Sequence, residues 1–376
     1  MSNPLLLQPL KLKGLTLRNR IVISPMCQYS AVDGVAQDWH LVHLGRFALG
    51  GAGLVTVEAT GVEARGRISP GDMGLWNDDQ ARALARIVDF LKANGSAAGI
   101  QLAHAGRKAS TRRPWDGGGP LTETDAIAGE APWETLGPSA LPFTDGWHTP
   151  KAMSTADMAE VIIAFREATK RALTCGFDVV EVHAAHGYLL HEFLSPLSNH
   201  RTDAYGGDRA GRMRFPLEVV QTVRAVWPKD RPLFVRVSAV DYGEGGVTIE
   251  DTIALAKELK ALGVDVVDCS SGGNTTAYPQ AGPGYQVPYA AAVRKGAQIA
   301  TAAVGLVLGA AQAEQILSEG SADLICIARK ALDDPNFPLH AVEALTGEID
   351  YSLAPTAARS GLDRLAGPLQ RLKAGG

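Results

Sequence analysis

Two histidines three residues apart, His183 and His186, are followed at once by Gly187 and Tyr188 in the run His183-Ala184-Ala185-His186-Gly187-Tyr188. At that spacing two ring N–H groups can aim at one oxygen, with a phenolic proton close by. Such a set suits polarising a carbonyl and protonating a neighbouring atom. Other polar runs accompany it. One is Ser24-Pro25-Met26-Cys27-Gln28-Tyr29, a second is Glu58-Ala59-Thr60, and a third leads from Gln101 through His104 to Arg107-Lys108. Arg236, Gly305 and the pair Ala328-Arg329 come later. A His pair or a Met-Cys pair alone is a common structural feature, so no single run proves a chemistry.

The segments that carry these residues are eight short, nearly continuous apolar runs. They are Ile21–Pro25, Leu54–Thr60, Ala98–Ala103, Asp178–His183, Leu233–Ser238, Asp265–Ser270, Ile299–Val304 and Asp323–Ala328. Continuous apolar character predicts strands of a parallel sheet covered on its outer face. Helix-period segments lie between them. In Ser154–Cys175 a stripe of Met158, Val161, Ile162, Phe165, Ala168 and Ala172 recurs at helical spacing, with Ser154 to cap it and Gly176 to end it. Gln80–Ala93, Gly211–Val226, Ile249–Leu262 and Ala310–Glu319 read the same way. Eight strand–helix units in a row predict an α/β fold, a closed (β/α)₈ TIM barrel. No Gly-x-Gly-x-x-Gly follows an early strand, which disfavours an open doubly wound sheet. In such a barrel, function sits in the loops beyond the strand ends. Two of these, about 106–153 and 184–209, exceed the few residues that are usual. The first is expected to form a lid or cap.

Three chemistries compete for this layout. A metal-dependent TIM-barrel hydrolase could use His183 and His186 as ligands, but the strand ends show no acidic cluster to complete the site. A Schiff-base aldolase needs a lysine with a depressed pKa in an apolar pocket. Lys108 lies on a long loop and is not expected to provide one. A flavin enzyme needs an anion site and donors for a substrate oxygen. Gly305 and Arg329, after strands seven and eight, stand where this barrel usually holds a phosphate, and the flavin reading fits best.

The 376 residues carry 36 Lys and Arg against 40 Asp and Glu, a formal charge of −4. That balance argues against a general nucleic-acid or membrane-surface binder. No apolar run approaches the roughly 18 residues of a membrane span. The first residues lack the basic-then-apolar order of a secretion signal, so a cytoplasmic location is expected. Cys27, Cys175, Cys269 and Cys326 are too far apart for a local Cys-x-x-Cys site. The last three are expected to be buried thiols.

The chain resembles the Old Yellow Enzymes, in particular their cysteine-containing, thermophilic-like subgroup with the xenobiotic reductases. SPMCQY at 24–29, GIQLAHAGRK at 99–108, HAAHGYLLHEFLSPLSNHRTDAYGG at 183–207, FVRVSA at 234–239 and DLICIAR at 323–329 carry the resemblance, from about residue 5 to 340. It implies bound FMN, with NADPH or NADH as reductant. Ser24, Pro25, Met26 and Cys27 would run beside the flavin ring, Ala59 and Gln101 would touch its polar edge, and Arg236 would lie near N1–C2. Gly305, Ala328 and Arg329 would hold the phosphate. The implied activity is reduction of the activated C=C of enones, enals and maleimides. Hydride passes from NAD(P)H to flavin N5 and then to the β-carbon. His183 and His186 bind the carbonyl, Tyr188 protonates the α-carbon, and Tyr29 and Cys27 line the substrate pocket.

The expected organisation is one catalytic domain over 1–350 with a capping insertion at 106–153, then a tail at 351–376. A homo-oligomer, dimer or tetramer, is expected, with the tail at a subunit interface. Members of the subgroup end on a Tyr-x-Arg-Gly-aromatic tail whose Arg reaches a neighbouring subunit. Here Arg359-Ser360-Gly361 is followed by no aromatic residue, so the resemblance does not assign Arg359 that part. His104 and His191 are expected to be structural. Arg201, Asp203 and Arg209 are expected to steady the second long loop or a subunit contact.

Overall fold

The structure, a computed structural model, describes residues 4–374. Eight strands close into a barrel in chain order: β1 (Ile21–Ile23), β2 (Leu54–Gly61), β3 (Ala97–Ala103), β4 (Val179–Ala184), β5 (Leu233–Ser238), β6 (Val266–Ser270), β7 (Ala300–Ala303) and β8 (Leu324–Ile327). All eight pairings are parallel, and β8 returns to β1 through Cys326 opposite Val22. The helices that cover them are α1 (Asp38–Leu49), α2 (Asp78–Ala93), α3 (Thr155–Thr174), α4 (Arg209–Val226), α5 (Ile249–Ala261), α6 (Val287–Ala297), α7 (Ala310–Ser318) and α8 (Phe337–Thr346). The (β/α)₈ barrel read from the sequence is present, with strand limits shifted by a residue or two. Among the described residues no helix is long and apolar enough to cross a membrane.

Helix α3 shows how local chemistry sets these elements. Ser154 Oγ accepts from Asp157 N–H, and Asp157 accepts in return from Ser154 N–H at 2.8 Å, a reciprocal cap. Gly176, at φ +85°, ends the helix where a side chain would be strained. Met158, Val161, Phe165, Ala168 and Ala172 are fully buried against the barrel.

The barrel interior has two unlike layers. Its floor is apolar: Val22, Leu54, Val179, Phe234, Val266, Ala302 and Leu324 meet at the centre. A hairpin of Leu10–Leu12 against Leu15–Leu17 closes it from below through buried Leu17. Two residues further along the strands, the pleat brings Ser24, Gln101, Glu181, Arg236 and Asp268 inward instead. All five are buried.

The insertion after β3 holds a short helix, Glu123–Ile127, and a two-residue parallel pairing of Leu136–Gly137 with Lys151–Ala152. Arg201 ties it to the loop after β4, donating to Pro138 O at 3.0 Å and Met153 O at 2.6 Å, while pairing with Asp203. Arg209 pairs with Asp251. The tail forms a helix, Thr356–Ala374, beside Leu49, Phe90 and Leu339, where α1 and α2 end at the foot of the barrel. Arg359 donates there to Ser352 O and Ala354 O of its own chain. Within one chain it lies away from the barrel mouth.

Candidate active site

Strand β4 delivers the histidines. His183 is its penultimate residue, and His186 stands in the turn just beyond, at φ +59°, a strained value for a residue with a side chain. Gly187 follows at φ +71°, where an added Cβ would lie 2.1 Å from Gly273 O, so no other residue fits. Buried His191 accepts from Gly187 N–H at 2.8 Å through Nδ1, and its Nε2 lies 2.8 Å from Asp241 Oδ1. That dyad fixes the turn from below. His104 is buried too, 2.9 Å from Glu63, with Gly106 N–H on its other nitrogen. Neither histidine reaches the mouth as a free donor.

The His183–His186 pair has a defined proton order. His183 Nδ1 accepts from Ala185 N–H at 3.2 Å, which places the ring proton on Nε2. Nε2 lies 3.3 Å from His186 Nδ1, and His186 Nε2 donates onward to Ser270 Oγ at 2.7 Å. Burial, then the charge of Arg236, holds both rings well below the ordinary histidine pKa. They are neutral donors. Tyr188 packs edge-on to His183, 5.2 Å between ring centres. Burial, then proximity to Cys27, raises its pKa and that of Tyr29. Both phenols keep their protons at neutral pH.

Lys108 differs from expectation. Its ammonium is buried between loops, donates to His186 O at 2.9 Å and Gly273 O at 3.0 Å, and lies over the rings of Phe143 and Tyr188. Burial lowers its pKa to about 8. The fold supplies the desolvation that a loop position gave no reason to expect. Two carbonyls still occupy the amine, an arrangement unlike a Schiff-base lysine.

Beside the histidines, Arg236, Gly305, Ala328 and Arg329 line one cavity of about 180 Å³, with Ser270 and Gln286. Its donor set fits a flavin mononucleotide. The Arg329 guanidinium makes no ion pair or hydrogen bond among the described residues, so it is available to a phosphate. Gly305, at φ +109°, leaves open a position where a Cβ would lie 2.8 Å from Gln286 Oε1. Arg236 Nε faces Asp268 at 3.1 Å, while its two terminal nitrogens donate to no protein group among the described residues. Ser24 and the segment Pro25-Met26-Cys27 run off β1 at the same end. Ala59 of β2 pairs with Gln101 of β3, whose amide donates to Glu181 at 2.7 Å. Tyr29 and Cys27 interact through their side chains, and Trp115 of the insertion meets Tyr29 edge-on at 6.0 Å.

Three carboxyls that the sequence did not single out are buried near the strand ends. Glu181 and Asp268 lie inside the upper barrel and Glu58 at the end of β2 facing Gln28 and α1, all 1–4% exposed. Burial raises the pKa of Glu181 to about 8 and also raises that of Asp268, which the charge of Arg236 opposes. Their signal was a carboxylate inside an apolar strand run; Glu181 and Asp268 stand two positions before His183 and Ser270. Ser270 and Gln286 were missed as well, because nothing local marks Ser270 as a partner of His186 or Gln286 as a donor to Ser270. Among the described residues, no three His, Cys, Asp or Glu groups stand together as a metal would need. Cys175, Cys269 and Cys326 are buried free thiols.

The same architecture recurs among known proteins. Residues 5–348 match the model of the NADH:flavin oxidoreductase / NADH oxidase family. The chain is 46% identical over 350 residues to an NADPH dehydrogenase of Geobacillus thermodenitrificans, covering 93% of this chain and 96% of that one. It is 47% identical over 359 residues to an NADPH dehydrogenase of Bacillus cytotoxicus, covering 94% and 97%. Among solved structures, morphinone reductase superposes with a TM-score of 0.75 at 28% identity, covering 94% and 93% of the two chains. An old yellow enzyme homologue from Zymomonas mobilis gives 0.74 at 25%, covering 91% and 93%. With its barrel, its cavity and these relatives together, the chain belongs to the Old Yellow Enzyme family of FMN-binding, NAD(P)H-dependent oxidoreductases.

Proposed function

We propose that this oxidoreductase is an ene-reductase, reducing the C=C bond of α,β-unsaturated carbonyl compounds. The observation that carries the reading is the ordered donor chain His183–His186–Ser270 beside Tyr188, above the Arg236 cavity. FMN, when bound, supplies the hydride chemistry; Ser24, Pro25, Met26, Cys27, Ala59, Gln101 and Arg236 would meet its ring, and Gly305, Ala328 and Arg329 its phosphate. A carbonyl oxygen entering the mouth exchanges the protein bonds of His183 and His186 for bonds to itself. Neutral N–H donors stabilise the enolate-like charge that develops there without surrendering a proton to it. Tyr188, kept protonated by burial, donates to the α-carbon. Tyr29 and Cys27 wall the pocket on the opposite side.

In this proposal residues 1–350 act as one catalytic unit, and the 106–153 insertion limits substrate size through Trp115 and Phe143. Assembly as a dimer or tetramer belongs to the same proposal. Exposed Trp39, Val42 and Leu49 along α1 offer an apolar stripe for a second copy, and sedimentation reads the mass.

The test is the visible spectrum before and after p-hydroxybenzaldehyde is added. The expected result is a long-wavelength charge-transfer band from a phenolate held by His183 and His186 over the flavin. A flavin-loaded protein without that band, and without enone reduction, would overturn the ene-reductase reading.

A further inference from the structure

A bulge interrupts β2. Val57 pairs with Ile100 and Ala59 with Gln101, so Glu58 is the extra residue between them. Bulges re-aim side chains, and they concentrate beside active sites. Here the carboxyl turns toward the segment that leaves β1. Glu58, 2% exposed, accepts Gln28 N–H on Oε1 at 3.0 Å. Tyr29 N–H acts on the same carboxyl. The second oxygen faces His40 of α1, with Nε2 at 3.9 Å. His40 is fully buried, and its Nδ1 accepts Gln37 N–H at 3.0 Å, which leaves the ring proton pointing at Glu58.

The segment held this way has left the barrel's ladder. Its ends are tied by Ser24 N–H to Ile327 O at 3.0 Å and Ala31 N–H to Gly71 O at 2.8 Å. Between them stand Met26, Cys27 and Tyr29, and Tyr29 holds φ at +49°. A non-glycine residue in that region persists only when its surroundings impose it. Besides Glu58, Arg113 Nε ties the Tyr29 backbone by donating to its carbonyl at 3.2 Å. Burying a carboxyl in an apolar wall is unfavourable unless it makes bonds such as these.

We infer that Glu58 is a positioning residue for the proposed reaction: its bulge-directed oxygen fixes the Gln28 and Tyr29 amides, and through them the placement of Cys27 and Tyr29. The acceptor matters here, not the charge. Burial raises Glu58 to about 8, and a protonated carboxyl still accepts through its carbonyl oxygen. Since the inference rests on the ene-reductase reading, its test must separate the two.

In FMN-loaded protein, Glu58→Gln keeps an acceptor of the same shape, and Glu58→Leu removes it. The expected result is about tenfold weaker p-hydroxybenzaldehyde binding in Glu58→Leu, as for one lost buried hydrogen bond, with an enone KM raised more than kcat is lowered. Glu58→Gln should stay within about twofold of wild type. Two wild-type affinities would overturn the inference, and so would equal losses in both variants at unchanged FMN content. If Glu58→Leu does not fold, Glu58→Asp, one methylene short of Gln28, decides: wild-type affinity there sinks the idea. If flavin-loaded wild-type protein shows neither the phenol band nor enone reduction, the ene-reductase reading fails instead. Glu58 is then judged by alkylation of Cys27, expected to be faster in Glu58→Leu than in Glu58→Gln; equal rates would reject it.

Discussion

The floor and the upper layer of the barrel interior are built by the same strands, two residues apart, yet obey different rules. Below, Val22, Leu54, Val179, Phe234, Val266, Ala302 and Leu324 form a dry apolar plug. Above, Gln101, Glu181, Arg236 and Asp268 are just as buried but polar. In the plug every atom gains from leaving water. In the upper layer desolvation opposes each charge; the carboxyls around Arg236 more than offset it for the guanidinium, whereas Arg236 only partly offsets it for Asp268, 3.1 Å away. The backbone follows the same division. Tyr29, His186 and Leu306 adopt positive φ just past β1, β4 and β7, whereas no floor residue does. Stability is concentrated at the foot of the strands, and strain and shifted pKa values at their ends.

That division can be broken by substitution. The largest expected effect lies at the mouth. Replacing His183 and His186 together by alanine should slow enone reduction by about 10³-fold or more while FMN stays bound. Phenol affinity unchanged from wild type would remove their assigned role. In the floor, Phe234→Ala should cost about 3–4 kcal/mol of stability and leave turnover per folded, FMN-loaded molecule nearly unchanged. A specific loss of rate would show that the two layers are not separable. Tyr188→Phe is expected to slow enone reduction by about 10²-fold and spare the NAD(P)H half-reaction. Equal losses in both stopped-flow phases would contradict a proton donor. Arg329→Ala should weaken FMN binding by about tenfold, as for one charge-assisted bond, with little change in melting of the FMN-free protein. Fluorescence titration of released flavin reads it.

The smallest effect concerns pH. Glu192 is buried beside the Arg107 amide, and burial raises it from 4.5 to about 8. Between those values the native state keeps a proton that the unfolded chain releases. Its contribution to stability is therefore complete below pH 4.5 and is lost as pH rises through about 8. Glu192→Gln should flatten the decline in melting temperature from pH 5 to 8 by a few degrees. Parallel curves would show that Glu192 is not protonated in the native state.

Much of this was legible beforehand because it is local. The apolar runs marked all eight strands, since a strand buried on both faces must read that way. Ser154 and Gly176 marked the ends of α3 by capping chemistry. The His183–Tyr188 run, the Met26-Cys27 pair and the Gly305 and Arg329 positions stood out by residue type at predicted strand ends. Ser270 and Gln286 did not. Ser270 gains meaning by meeting His186 from a strand 84 residues away (270 − 186), and Gln286 by donating to Ser270 from 16 residues further on (286 − 270). Lys108 was misjudged for the same reason: its depressed pKa comes from loops folded over it, not from its neighbours in the chain.

By itself, then, the sequence determined the barrel, its strand order and the candidate donors, because periodicity and turn chemistry act within a few residues. Tertiary structure alone decided the proton order from His183 to Ser270, the buried carboxyls above the floor and the bulge that aims Glu58 at Gln28. Each of these depends on which strands become neighbours and on how much water the closed barrel excludes, and neither quantity is written in any short run of residues.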